Sequence, residues 1–503
     1  MLEPILRAAW EGLGLVFSWP NLLYPVAGTL LSMVVAFLPG VSGVTLMALA
    51  VPFTLFWEPL PVILTFGGLI GGATFMGSVT AILFNVPGSG PSAATLLDGY
   101  PLAQQGQAKT AIGCAAFSSA LGSTFGILVL VALIPLMHLA VLAFGPPELL
   151  MLLLWGLTTI AVVMQGSVVR ALIATGIGLL LALVGQDVRT GEFRFTFGTL
   201  HLWEGLGLVP VMLGLFSMAE MLELSASGRR TIAGRGHAEL TGSVREGAMT
   251  VVRHPGLFLR SAFIGTCVGV IPGVGGTVAS FLAYGQAVAT SPDRERFGKG
   301  DIRGVLAPEA AHDAKDGGAL IPMLTFGIPG SDGTAVLLGV LLLHGLVPGR
   351  DLLTHQLALV FVLIWSLFLS NWLTSILGIL LVSPLARLTT VRLERLAPIG
   401  LALAAAGAFV DQQRIGDVLV AVLFGLLGYY MKRHDWPRIA LVVAFLLGSG
   451  IERNLHITTT LYQLDRLDLL GRPLLGLLAV LTLVNLALPS LRAARLSRAR
   501  TAS

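Results

Sequence analysis

Leu38-Pro39-Gly40-Val41-Ser42-Gly43-Val44-Thr45 interrupts an otherwise apolar run, and the same interruption returns at Ile271-Pro272-Gly273-Val274-Gly275-Gly276-Thr277. Each copy is followed in the next apolar segment by a second Pro-Gly break. In the first half it is Val86-Pro87-Gly88-Ser89-Gly90-Pro91-Ser92, and in the second Ile328-Pro329-Gly330-Ser331-Asp332-Gly333-Thr334. Proline lacks an N–H and clashes with the turn before it, while glycine admits backbone angles that other residues resist, so Pro-Gly ends an apolar helix. One such break reads equally well as a kink or a surface turn. Breaks in two matched pairs point further. In a bilayer, irregular backbone survives only where protein buries it or it lines a wet cavity, and paired interruptions in corresponding halves mark a transporter's binding site.

The chain is 55% hydrophobic and 12% charged, with a mean hydropathy of +0.85, where a soluble domain carries roughly 25% charged residues. This is the composition of a polytopic membrane protein set in a lipid bilayer. Its 61 glycines exceed the usual share of about 7%, and small residues let membrane helices approach closely. The formal charge of +4 and pI ≈ 9.3 do not imply nucleic acid, because the basic residues sit in short loops and the tail, where the positive-inside rule places them. Cys114 and Cys267 lie in apolar segments without metal-ligand spacing and read as small core residues with no redox role. Met1 to Pro20 has neither a basic leader nor a small-residue cleavage site and reads as retained, lying along the interface.

Residues 22 to 57 read as a hairpin of two apolar arms around Pro39, each shorter than the roughly 20 residues of a full span. Residues 62 to 97 read as one discontinuous span broken at Pro87-Gly88. Apolar stretches follow near 110 to 142, either one tilted helix or two shorter pieces, then near 148 to 165, 168 to 184 and 203 to 221. Arginines at 229, 230, 235, 245 and 253 make residues 221–255 a basic linker, expected in the cytoplasm. Residues 256 to 286 repeat the hairpin around Pro272, and 317 to 345 repeat the broken span. Further spans fall near 357 to 382, 397 to 411, 414 to 430, 438 to 452 and 474 to 490, with basic loops at Arg387 to Arg395 and Lys432 to Arg438.

The expected organisation is thus a first transmembrane repeat (1–220), the linker, a second repeat (256–490) and a basic cytoplasmic tail (491–503). An odd number of crossings between linker and first hairpin, if 110 to 142 crosses once, makes the repeats inverted. The fold class is then all-α, with two inverted repeats that each carry a Pro-Gly-broken hairpin and a discontinuous helix.

Each break frees N–H groups at the start of a half-helix, which favour an anion, and carbonyls at the end of the preceding piece, which favour a cation. Hydroxyls follow three breaks at equal spacing: Ser42 with Thr45, Ser89 with Ser92, and Ser331 with Thr334. Residues three apart share a helix face, so each pair can cap its half-helix, point at a ligand, or both. The candidate substrate-binding set is Gly40, Ser42, Gly43, Asn85, Gly88, Ser89, Ser92, Gly273, Gly275, Thr277, Gly330, Ser331 and Thr334. Thr80, Thr325 and Asp332 form a candidate cation site, with Asp98 a further polar residue near a break. Cations are scarce inside the spans. A small carboxylate held by backbone N–H groups and hydroxyls fits this better than a bulky apolar compound, and replacing Gly88 or Gly330 with valine is expected to block transport more than assembly.

The stretches Gly77-Ser78-Val79-Thr80-Ala81-Ile82-Leu83-Phe84-Asn85-Val86-Pro87-Gly88, Leu97-Asp98-Gly99-Tyr100-Pro101, Arg296-Phe297-Gly298-Lys299-Gly300, Ala307-Pro308-Glu309-Ala310-Ala311 and Gly318-Ala319-Leu320-Ile321-Pro322 through Ser331 resemble, in order, the large membrane subunit of the tripartite tricarboxylate transporter family, the TctA-type protein. The resemblance implies a carrier of the bacterial cytoplasmic membrane that works with a small integral-membrane subunit and a periplasmic solute-binding protein. It implies import of citrate or another carboxylate, driven by an ion gradient, with no cofactor beyond a transported sodium ion or proton. Whether the chain also forms a homo-oligomer stays open. Where the family pattern runs Pro-Glu-Ala/Ser-Ala-Asn-Asn, this chain has Pro308-Glu309-Ala310-Ala311-His312-Asp313, with Lys315 and Asp316 close by. Glu309, Asp313 and Asp316 are therefore coupling candidates beside the hard neutral oxygens that favour sodium.

Two other classes fit less well. Gly40-Val41-Ser42-Gly43 matches the Gly-x-Ser-Gly of an intramembrane serine protease, with His138 as a base, but a serine nucleophile explains none of the other breaks. A channel, or a carrier working without a binding protein, is separated from the main reading by its partners alone. No phosphate loop of the Gly-x-x-x-x-Gly-Lys-Ser/Thr type is present to drive transport with ATP.

Overall fold

A computed structural model of the chain describes residues 2–36, 42–163, 167–187, 190–226, 241–386, 393–464 and 472–501. Serines begin several of its helices. Ser42, Ser167, Ser243 and Ser331 each accept the backbone N–H three residues on, at Thr45, Arg170, Glu246 and Thr334, which satisfies one of the donors that a helix N-terminus leaves free. Left-handed residues end the two longest pieces of the breaks. Pro59–Phe84 closes on Asn85 at φ 56°, and Arg303–Phe326 closes on Gly327 at φ 71°. In both cases proline follows two residues later, a common way for a helix C-terminus to close. Phe84-Asn85-Val86-Pro87 and Phe326-Gly327-Ile328-Pro329 are therefore the same device used twice.

The expected segments recur in both halves. Leu23–Ala36 and Gly43–Thr54 flank the first break, whose residues 37–41, Pro39 and Gly40 included, lie outside the described residues. Pro255–Val270 and Gly275–Thr290 flank Pro272. The broken spans are Pro59–Phe84 with Ser92–Leu102, and Arg303–Phe326 with Asp332–Leu343. In each half the first arm lies backbone to backbone on the long helix. A Cβ placed on Gly68 or Gly72 would stand 2.4 or 2.7 Å from the carbonyl oxygens of Pro25 and Thr29, and one on Gly265 or Gly269 would stand 2.2 or 2.3 Å from those of Ala311 and Lys315. Only glycine permits that approach. The halves also interlock reciprocally: Ser92–Leu102 packs on the second arm Gly275–Thr290, and Asp332–Leu343 packs on the first half's arm Gly43–Thr54.

The stretch 110 to 142 is one helix. Ala108–Ala143 runs for 36 residues, about 54 Å at 1.5 Å per residue. Helices Pro146–Val163, Val168–Ala182, Leu357–Ala386, Leu393–Gln412, Ile415–Arg433, Arg438–Gln463 and Pro473–Thr501 stand where spans are expected. Among the described residues, six helices are long and apolar enough to cross a membrane by length and composition, as an all-α polytopic membrane protein requires.

Other details depart from the sequence reading. The N-terminal segment is a helix, Leu2–Phe17, seated on Leu357–Ala386, where the Trp365 indole donates to the Ala9 carbonyl at 3.0 Å. Residues 227–240 of the linker and 387–392 of a basic loop lie outside the described residues. The rest of the linker holds an unforeseen helix, Val244–Arg253. Its Gly247 is so close to Ala108–Ala143 that a Cβ would meet the Thr110 carbonyl at 2.0 Å. Cys114 is buried as expected, but Cys267 is exposed and is not a core residue, because the face of Pro255–Val270 that packs is its glycine face.

Candidate functional site

The breaks open onto one cavity of about 580 Å³. Ser42 and Gly43 reach it from the first break, Gly88, Ser89 and Gly90 from the second, Gly273, Gly275 and Thr277 from the third, and Ser331, Asp332 and Thr334 from the fourth. The breaks of different halves touch. A Cβ on Gly90 would fall 2.4 Å from Thr277 Oγ1, and one on Gly333 would lie 3.9 Å from Met47 Sδ. Ser42, Ser89 and Ser331, distant in sequence, thus stand around one space.

At the first and fourth breaks the hydroxyls cap their own half-helices, and at the second Ser92 ties down the turn before its helix. Ser42 Oγ accepts the Thr45 N–H at 3.2 Å. Ser92 Oγ accepts the Ser89 N–H at 3.1 Å and donates back to the Ser89 carbonyl at 2.7 Å. Ser331 and Thr334 form a reciprocal pair: Ser331 Oγ accepts the Thr334 N–H at 3.4 Å, and Thr334 Oγ1 accepts the Ser331 N–H at 2.8 Å. Capping fixes the half-helices that begin at Gly43 and Asp332 with their remaining N–H groups at the cavity end. The third break has no hydroxyl at this place and relies on Gly275, whose φ of +72° suits glycine and whose missing side chain leaves open space.

Gly330, Ser92, Asn85, Thr80 and Thr325 are not in the cavity wall, and Gly88, though in it, also serves packing. Gly330 faces away from the cavity, since a Cβ there would meet the Gly269 carbonyl at 2.4 Å. Gly88 packs on Gly77, whose Cα would be 2.6 Å from an added Cβ. Both glycines hold helices together, so valine at either position breaks packing before it blocks a ligand, which corrects the expectation of a mainly functional loss. Asn85 is exposed at its helix cap. Thr80 and Thr325 donate to the carbonyls of Gly77 at 2.8 Å and Ile321 at 2.6 Å, outside the cavity wall; Asp332 is in it.

The scarcity of cations expected from the sequence does not hold at this site. Lys315, Lys432 and Arg438 all line the cavity. Arg438 reaches Glu220 at 3.0 Å and the Leu215 carbonyl at 3.0 Å, and Lys432 is paired with Glu220 and, at 2.6 Å, with Glu223. Sequence reading missed them because Lys432 and Arg438 look like a basic loop, and Glu220 looks like the polar end of a span. Lys315 pairs with Asp316, and both line the cavity with His312. Glu309 and Asp313, on the same helix, are buried away from the cavity, where Thr95 donates to Glu309 and Ser119 to Asp313. His138, the base that a serine protease would need, is not in the cavity wall.

Asp98 is not at the cavity either. It is fully buried and accepts the backbone N–H groups of Gly300 and Asp301 at 2.9 Å each and the Tyr284 hydroxyl at 2.9 Å. The first half's broken span thereby holds the loop that enters Arg303–Phe326. In that loop burial works against the Asp301 charge, but hydrogen bonds from Arg303 outweigh it and hold the carboxyl below its usual range. Asp98→Asn should weaken this tie by about 1 to 3 kcal/mol, since hydrogen bonds to a buried charge are strong ones. Hydrogen exchange at Gly300 and Asp301 should accelerate while distant helices stay protected. Unchanged exchange at those amides would remove the tie.

The family model of the tripartite tricarboxylate transporter TctA family matches residues 22–443. A protein of Agrobacterium vitis, described as an uncharacterized 52.8 kDa protein in the TAR-I ttuC' 3' region, is 34% identical over 479 residues, covering 94% of this chain and 95% of its own. A second, described as an uncharacterized protein in the TAR-II ttuC' 3' region of the same organism, is 33% identical over 235 residues, 46% of this chain and 97% of its own. No solved structure matches.

Proposed function

The chain belongs to the tripartite tricarboxylate transporter TctA family, and from that premise we propose that it is the ion-gradient-driven permease subunit of a system importing a small carboxylate. The substrate, a tricarboxylate or dicarboxylate, arrives on a periplasmic binding protein, and a small integral-membrane subunit completes the complex in the bacterial inner membrane. The observation that carries this reading is the convergence on one cavity of Ser42 and Gly43, just past the first break, with residues of the other three breaks. Half-helix N-termini supply N–H donors and positive dipole ends for carboxylate oxygens.

The reciprocal packing of Ser92–Leu102 on Gly275–Thr290 and of Asp332–Leu343 on Gly43–Thr54 supports two inverted repeats, exchanging their half-helices across the cavity. Movement of one repeat unit against the other would then expose the same site to either side. Coupling to sodium uses the break carbonyls and Asp332, with Glu309, Asp313 and Asp316 as further carboxylates on Arg303–Phe326 of the second half. Ser42, with its Oγ on the Thr45 N–H, serves as a cap and ligand rather than a nucleophile.

The test is uptake of labelled citrate, malate and succinate by proteoliposomes holding both membrane subunits, with the binding protein outside, under separate sodium and proton gradients. Uptake that requires a gradient and the binding protein is expected. Equal uptake without the binding protein would leave a free-standing carrier, and uptake that follows the substrate gradient alone would leave a channel.

A further inference from the structure

We infer that Lys315 is the fixed cation that receives a substrate carboxylate, and that Asp316 is its displaceable internal counter-ion. The inference rests on the carboxylate reading above and adds the residues that select for charge. Lys315 lies in the wall of the cavity on Arg303–Phe326. Its stem runs through the space left by Gly276, where a Cβ would come within 2.8 Å of Lys315 Cε and within 2.8 Å of Pro91 Cγ. The ammonium is thus placed where the second break, from the first half, meets the third, from the second half.

What separates Lys315 from the other two cations is how it is neutralised. Arg438 is held by Glu220, by a backbone carbonyl and over the Phe216 ring at 5.7 Å, and Lys432 is held by two carboxylates. Those charges are spent on fixing one wall. Among the described residues Lys315 has an ion pair with Asp316 alone, the next residue on the same helix. Adjacent residues of a helix point about 100° apart and do not face each other, so Lys315 has to turn back to meet its neighbour. Among the described residues Asp316 Oδ2 has no hydrogen-bond partner, nor has His312 Nδ1, although all three side chains are at least nine-tenths buried. A buried charge without a counter-ion is costly. Asp316 therefore neutralises Lys315, and an entering carboxylate competes with it for the same ammonium.

This arrangement makes a prediction of opposite sign for the two partners. Asp316→Asn removes the competitor and leaves Lys315 for the ligand, so it should tighten carboxylate binding several-fold. Lys315→Gln removes the anchor and should weaken it about tenfold or more, the order of one charge-assisted contact. The double variant Lys315→Gln/Asp316→Asn keeps the shape without the charges and should bind as weakly as Lys315→Gln. Binding of labelled citrate, malate and succinate to the purified membrane complex is measured by scintillation proximity, with size-exclusion profiles to confirm folded protein. Weakening by both single variants to a similar extent, or equal affinity of wild type and the folded double variant, would overturn the assignment and leave the cavity reading in place. A wild-type complex that binds none of the three anions would overturn the reading on which the assignment rests.

Discussion

Gly126→Val and Gly317→Val should each leave no folded protein, whereas Gly176→Ala should leave the yield unchanged. The first pair sits where Ala108–Ala143 crosses Arg303–Phe326. A Cβ on Gly126 would lie 2.3 Å from the Ala314 carbonyl oxygen, and one on Gly317 would lie 2.2 Å from the Gly126 carbonyl carbon. Both obstacles are backbone, so no rotamer change relieves them. Arg303–Phe326 cannot retreat, because Pro255–Val270 presses on its other side, with Gly265 and Gly269 at the Ala311 and Lys315 carbonyls. Overpacking in a well-filled core costs about 1 to 3 kcal/mol and sometimes more, and a helix wedged from two sides belongs at the upper end. Gly176 lies in Val168–Ala182 with nothing within 4 Å of an added Cβ, so alanine there meets open space and gains helix propensity. Fluorescence-detected size exclusion after detergent extraction reads the difference. A monodisperse Gly126→Val peak at wild-type height would show that the crossing is looser than the backbone distances state.

Much of this architecture was legible in the sequence because Pro-Gly carries its physics locally. Pro87 and Pro329 end helices wherever they stand, and Ser331 with Thr334 three residues on announces a cap that the structure forms in full. The meeting of the breaks was legible too, through their pairing. Cations at the cavity were not. Arg438 and Lys432 belong to segments that read as loop and span ends, and only tertiary packing brings them to Glu220 from a remote helix. The glycines gave a mixed signal for the same reason. Gly275, two residues past Pro272-Gly273, and Gly330, the glycine of Pro329-Gly330, both read as break glycines, yet Gly275 borders open space and Gly330 is pressed against Gly269. Backbone freedom and close approach call for the same residue, and a sequence does not tell them apart. The candidate site residues follow that division. Most of those read from the breaks reached the cavity, while Gly330 was taken up by close packing, Ser92 by the turn before its helix, and Asn85, Thr80 and Thr325 by caps and intrahelical bonds.

Sodium and carboxylate should each raise the other's affinity by roughly 5 to 150-fold, the usual range of a coupling free energy of about 1 to 3 kcal/mol. The cause is charge. A carboxylate that takes Lys315 releases Asp316, which then offers the cavity two hard anionic oxygens next to the free carbonyls of the breaks and near Asp332. A cation bound there neutralises Asp316 and prevents it from reclaiming Lys315. Neither ligand is as stable alone, since each leaves one buried charge without a partner. The sequence-level preference for sodium thereby acquires a specific consequence: Asp316→Asn should bind carboxylate as tightly without sodium as wild type does with it, and should no longer respond to sodium. Affinity is measured on the purified membrane complex while sodium is varied at fixed pH and ionic strength, then while pH is varied without sodium. Affinity that ignores sodium but follows pH would transfer the role to a proton, which neutralises a displaced carboxylate equally well, and Asp313→Asn against Asp316→Asn would then identify the group that carries it. Affinity that ignores both would separate substrate binding from ion binding, and the driving ion would have to act at another step of the cycle.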